Sequence, residues 1–309
     1  MPGAIKWPRV FLCATLTWGT YFTACSSAPR VIAIPPVSES ARAPVNRSTD
    51  YPEAVAAIHS ILVRDMGFPA IEGTVTFYPN SIALESALRA ELEKEFEIAE
   101  KQLPPKAREI LRATKEENVT FAARQRAVTA VAVGMHRRIL VNELTFSRQP
   151  WWEQIRILAH ELTHTVEKAL VDGRLISADL WLIEGFADWV AYKILEALDI
   201  ASFTKSRAGI VDAITKARYY KTFPALTQLT RTSDWQTWGP TLGPEATYGQ
   251  AFLAVELLIE QKGVAAMIEY FRLFGKLNNR ERNFATAFGE PVAKFDEKFT
   301  EHLKALLGQ

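Results

Sequence analysis

Residues 150–170 read Pro-Trp-Trp-Glu-Gln-Ile-Arg-Ile-Leu-Ala-His-Glu-Leu-Thr-His-Thr-Val-Glu-Lys-Ala-Leu, with His160-Glu161-Leu162-Thr163-His164 at their centre. Ile155, Leu158, Leu162, Val166 and Leu170 recur at three- and four-residue spacing, the pattern of a helix with one buried face. Pro150 suits its first turn and Gly173 its end. On such a helix His160 and His164 stand one turn apart, about 6 Å along the axis, and share a face. Both imidazoles can then reach one metal ion at about 2.0–2.1 Å. Glu161, between them, can address a water on the same metal.

A second helix is expected from Ser177, as N-cap, to Leu198. Glu184 and Asp188 interrupt its otherwise apolar run, one turn apart on one face. Carboxylates are rarely buried unless paired or bound to a metal. A catalytic zinc site takes three protein ligands and keeps one position open, and His160, His164 and Glu184 supply the three. Asp188 can hold a ligand histidine by its other ring nitrogen. The bland reading is a pair of core histidines bonded to backbone. A structural zinc site would be closed and cysteine-rich, whereas this chain has two cysteines, Cys13 and Cys25.

The pair His160-Glu-Leu-Thr-His164 and Trp181-Leu-Ile-Glu-Gly-Phe-Ala-Asp-Trp189 resembles the gluzincin metallopeptidases, the group that includes thermolysin and a class of zinc aminopeptidases. In that group the glutamate ligand lies on the next helix, about twenty residues past the second histidine, as Glu184 does here, and it opens a motif similar to Glu184-Gly185-Phe186-Ala187-Asp188. The resemblance implies one zinc ion, a peptide or protein substrate, and Glu161 as general base. Thr247-Tyr248-Gly249-Gln250 is similar to the group's tyrosine-bearing helix start, which makes Tyr248 the candidate oxyanion donor, with Tyr219 and Tyr220 as substitutes. A core aromatic is the other reading of Tyr248. The aminopeptidases carry Gly-x-Met-Glu-Asn for the substrate amine, and Val131-Ala-Val-Gly-Met135 lacks its acid. Two further readings stay open: a zinc-bearing envelope protein that binds without turnover, and a metal-dependent hydrolase of a non-peptide amide or ester.

Met1–Ala24 has a short basic region with Lys6 and Arg9, then an apolar stretch, the form of a secretory signal peptide. Its end, Phe22-Thr-Ala-Cys25-Ser-Ser27, resembles a bacterial lipobox, in which the cysteine becomes the lipidated first residue. The alternative is an ordinary cleaved signal with an incidental Cys25. Cys13 falls within the signal, so no intramolecular disulfide is expected. Residues 25–49, with Pro29, Pro35, Pro36 and Pro44, read as a flexible tether from a membrane anchor. The expected location is the bacterial cell envelope, facing the periplasm, with the outer membrane as anchor site.

Residues 50–309 form the expected metallopeptidase domain: sheet and metal helices over 50–198, an α-helical part over 199–309. Lys+Arg number 36 and Asp+Glu 35, a formal charge of +1, and no basic patch calls for nucleic acid. Helices are expected over Tyr51–Met66, capped by Asp50, and over Ser81–Leu103, stopped by Pro104-Pro105. Strands are expected at Gly73–Tyr78, Val128–Gly134 and Arg138–Asn142, the last two as a hairpin. In gluzincins a sheet edge beside the metal helix holds the substrate backbone. The hairpin is assigned that role, against the alternative that both strands are only core. Ser202–Tyr220 reads as helix, and Thr232–Thr247, with Trp235, Trp238 and two Gly-Pro pairs, as a loop. The tryptophans either line a cleft or plug it, and plugging is favoured. Ala246–Gln261, Val264–Phe274, Asn278–Phe288 and Val292–Leu307 read as helices. The fold class is α+β with helices dominant. Oligomeric state is open.

Overall fold

The computed structural model describes residues 28–37, 50–174, 176–218 and 223–308. In chain order its elements are β1 (Arg30–Ala33), α1 (Tyr51–Arg64), β2 (Thr74–Tyr78), α2 (Ser81–Gln102), α3 (Pro105–Thr129), β3 (Ala132–Met135), β4 (Arg138–Asn142), α4 (Glu143–Phe146), α5 (Trp151–Leu170), α6 (Leu180–Ala197) and α7 (Phe203–Arg218). A 3₁₀ turn at Leu226–Gln228 leads to α8 (Thr232–Leu242), α9 (Pro244–Lys262), α10 (Val264–Leu273), α11 (Arg280–Phe288) and α12 (Val292–Leu306). The fold is α+β and helix-dominant. The signal peptide, Cys25, Tyr219 and Tyr220 lie outside the described residues.

The four strands lie in the order β1-β2-β4-β3. β1 and β3 are its edges; β2 and β4 run parallel, and the other pairs antiparallel. Alternate side chains divide between the faces. Val75, Phe77, Ile139 and Val141 join the main core with α1, α5 and α6. Tyr78, Met135 and Leu140 join a smaller cluster under α2 and α3, built on Leu84, Leu88, Leu92, Val119, Ala123 and Ala127. The sheet is therefore sandwiched, with the histidine helix on one side of its β3 edge.

Four expectations are corrected. The tether does not reach residue 49 uninterrupted, because Arg30–Ala33 pairs along β2 and buries Ile32 and Ile34. Buried His59 secures this segment: its Nδ1 lies 2.9 Å from Pro35 O, and its Nε2 accepts from Ile71 N at 3.1 Å. Val128 and Thr129 belong to the last turn of α3 rather than to a strand. Small residues at Ala123 and Ala127 let α3 lie close to α2 and carry the helix past the Val-Thr-Ala-Val alternation. α6 starts at Leu180, with Asp179 rather than Ser177 at its N-cap; the Ser177 amide instead donates to Asn278 Oδ1. Residues 232–242 are helical, not loop. Asp234 Oδ2 accepts the amides of Thr230 and Arg231 at the start, and Pro240 falls in the last turn before Gly243, whose φ is +81°.

α6 and α9 cross at Gly185. A Cβ at this position would lie 2.4 Å from Ala251 O, so only glycine permits the crossing. Gly185→Ala is expected to lower stability by about 1–3 kcal/mol, the usual cost of overpacking. A urea midpoint equal to wild type would show that the crossing has slack.

Candidate metal centre

α5 and α6 run antiparallel, so that Glu184 faces both histidines and Asp188 faces His160. His160 Nε2 and His164 Nε2 are 3.1 Å apart; Glu184 Oε2 lies 3.4 Å from the first and 3.7 Å from the second. Four tetrahedral bonds of about 2.0–2.1 Å place ligand atoms about 3.3–3.4 Å apart. The three-atom triangle has that size. The three predicted ligands thus converge, and they are the His/Glu group able to hold a metal ion among the described residues.

The partners of the Nδ1 atoms sharpen the point. His160 Nδ1 lies 2.9 Å from Asp188 Oδ1, and His164 Nδ1 lies 3.0 Å from Glu167 Oε2. A carboxylate can only accept, so each Nδ1 carries a proton. In the neutral rings both Nε2 lone pairs then face each other and a carboxylate oxygen, an arrangement that is repulsive without a cation. Protons can serve in place of a metal. Burial opposes charge on His160, but Asp188 and Glu184 outweigh it and raise this imidazole to about 9. Burial likewise opposes charge on His164, yet Glu184 and Glu167 hold it well above its ordinary value. Glu184 is pushed below the ordinary carboxylate range by the two histidines, against the effect of its burial.

Asp188 takes the predicted place, on His160. Arg156 compensates its charge: Nη1 donates to Asp188 Oδ1 at 2.8 Å, while Nε and Nη2 grip Glu153 at 2.9 and 2.7 Å. Sequence reasoning missed Arg156 and Glu167. Glu167 is only 3% exposed, one turn after His164 on a helix whose other buried positions are mostly apolar or hydroxyl-bearing. A buried carboxylate at that spacing was the available signal.

Glu161 is turned toward the sheet, and its Oε2 accepts the Gly134 amide at 2.6 Å. Burial raises this carboxyl above its ordinary value, opposed by the two histidines and by the Gly134 amide. β3 approaches α5 so closely that a Cβ on Gly134 would sit 2.5 Å from Glu161 O and 2.9 Å from His164 Cβ. A glycine inside a strand often marks such an approach, so Gly134 too was legible but unassigned.

These groups line a cleft of about 1020 Å³ that also reaches Tyr248, near the start of α9. Tyr248 is 38% exposed, and its ring meets Trp235 edge-on at 4.8 Å. Desolvation, then the carboxylates of Glu184, Asp188 and Glu161, push its phenol well above its ordinary value, so it remains a donor. Trp235 and Trp238 do not line this cleft. The Trp235 indole donates to Leu229 O at 2.9 Å, and both rings pack on the main core.

No known family model, curated protein or solved structure matches the chain.

Carboxylates behind ligand histidines typically contribute about 10–100-fold to metal affinity. Asp188→Asn and Glu167→Gln are each expected to weaken Zn²⁺ binding by about that factor, measured by competition with a chromophoric chelator. Unchanged affinity in both would remove the carboxylates from the site.

Proposed function

We propose that this protein is a zinc-dependent peptidase. The observation that carries the reading is the converging triangle of His160, His164 and Glu184, with the non-ligand carboxylate of Glu161 beside it. A bound Zn²⁺ would supply Lewis acidity, polarising a carbonyl and bringing the pKa of a water it holds toward about 7. The remaining chemistry belongs to the chain's own residues.

Glu161 accepts the proton of the attacking water and passes it to the departing amine. Its pKa, raised by burial, suits a group that must take a proton and give it back. Asp188 and Glu167 keep the proton of each imidazole on Nδ1, so both Nε2 lone pairs stay turned to the metal. Tyr248, protonated and in the wall of the same cleft, donates to the oxyanion; one such donor is worth about 2.7–4 kcal/mol. Val131 O bonds Asn142 N within the sheet, whereas Gly134 N–H points out toward Glu161. By the two-residue alternation of antiparallel strands, the main-chain groups of Ala132 share Gly134's outward direction. An extended peptide could pair with main-chain groups so directed.

The reading includes a lipid on Cys25. Only four residues separate Cys25 from Arg30, where β1 begins, so the anchor would lie within about 18 Å of that strand. β1 is the sheet edge opposite β3. A membrane at β1 would thus leave the cleft on the far side. Cys25→Ser is expected to move the protein from the detergent phase to the aqueous phase in a cloud-point partition; no shift would remove the anchor.

Glu161→Gln is expected to abolish peptide hydrolysis while zinc content stays equal to wild type. Tyr248→Phe should cut kcat by about 100-fold. Hydrolysis that persists in pure Glu161→Gln protein would overturn the mechanism. Full kcat in Tyr248→Phe would move the donor role to another residue.

A further inference from the structure

Resting on the peptidase reading, we infer that the substrate is an internal stretch of extended polypeptide, bound on both sides of the scissile bond, so that the protein is an endopeptidase. One stripe of α5 runs along the cleft. Trp152, Arg156, His160, His164 and Lys168 follow one another at four-residue spacing, and all five line the cleft. At about 1.5 Å per residue the stripe is about 24 Å long. His160 lies at its midpoint, with about two turns of lining helix before it and about one turn beyond His164.

The cleft-lining side chains at both ends of this stripe reach solvent. At one end Trp152 is 46% exposed. At the other the side chain of Lys168 is 28% exposed, tied across to Glu95 of α2, and the cleft continues past it to exposed Arg174. β3 lies against the centre of the stripe, with Gly134 on Glu161 and His164. An extended chain rises about 3.4 Å per residue. The stripe therefore accommodates about seven residues, about four on the Trp152 side of the histidine pair and about three on the Lys168 side.

An exopeptidase needs the reverse: a wall next to the metal and a free charge to capture the terminal amine or carboxylate. Of the charges that line the cleft, those on α5 and α6 next to the histidines are already engaged. Asp188 is held by Arg156 and His160, and Glu167 by His164. Arg156 is committed to Glu153 and Asp188. Glu161 is needed as base. The acids and the arginine nearest the ligands are thus engaged with one another rather than offered to a chain end.

The test uses the zinc-loaded protein and a series of N-acetylated, C-amidated peptides of four, six, eight and ten residues. The same sequences with free ends, and single-residue amide substrates, run beside them. Internal cleavage of the blocked peptides is expected, located by mass spectrometry, with kcat/KM rising at least tenfold from four to eight residues and then levelling. Release of single terminal residues, confined to peptides with free ends, would overturn the inference and leave the peptidase reading standing. Equal kcat/KM at all lengths would overturn the two-sided site. No hydrolysis in any series, with zinc bound, would overturn the peptidase reading and this inference together.

Discussion

The antiparallel contact of α5 with α6 is the constraint on which the site depends. It sets Glu184 against both histidines and Asp188 against His160, so the donor triangle exists only while the two helices keep their register. One face of each helix is committed to the core: Ile155, Leu158, Leu162 and Val166 on α5, and Trp181, Leu182, Phe186 and Val190 on α6, all at 1% exposure or less. Each fully buried aliphatic or aromatic side chain of this kind contributes about 1.5–3 kcal/mol, which works against the cost of bringing these ionisable groups together. Behind α6, α9 crosses at Gly185, the residue next to the third donor, so core packing holds Glu184 in place from the far side.

Charge is balanced unevenly inside this frame. Asp188 sits in a chain of alternating charge, Glu153 to Arg156 to Asp188 to His160, in which each group has an opposite partner. Glu167 has His164 alone, and its Oε1 is buried without a protein donor. A group of that kind costs stability wherever it serves only the fold. Here it sits behind His164, one of the three residues proposed to hold a metal. The same logic explains why both imidazoles are shifted toward the charged form: the cluster contains more carboxylate than the protein's own cations neutralise.

The sheet contributes through approach rather than through side chains. β3 is short and lies at an edge, and its glycine brings backbone amide to within hydrogen-bond reach of Glu161. One strand thereby orients the proposed base and presents main-chain groups to the cleft. The opposite edge, β1, is supplied by a segment whose proline-rich surroundings gave it the look of a linker. Two buried isoleucines, the ladder to β2 and the His59 ring against Pro35 O are what dock it.

Helix-borne features were legible from the residues because helical spacing is local. Four-residue separation puts His160 with His164, and Glu184 with Asp188, whatever the rest of the chain does, and the α+β class followed from the same periodicities. The distance between those two pairs was not local, and neither was the choice of His160, over His164, as the partner of Asp188. That choice depends on the helices being antiparallel and in one register, which the packing of α1, α9 and the sheet around them decides. Elements whose local signals were weak or mixed went the same way. Val128 and Thr129 joined a helix because α2 accepts small residues there, and 232–242 became helix because Asp234 caps it and Trp235 has a core to lie on. The sequence by itself determined which side chains can share a helix face, because a helix repeats every 3.6 residues. Only the tertiary structure decided which faces meet, because that depends on burial summed over residues far apart in the chain.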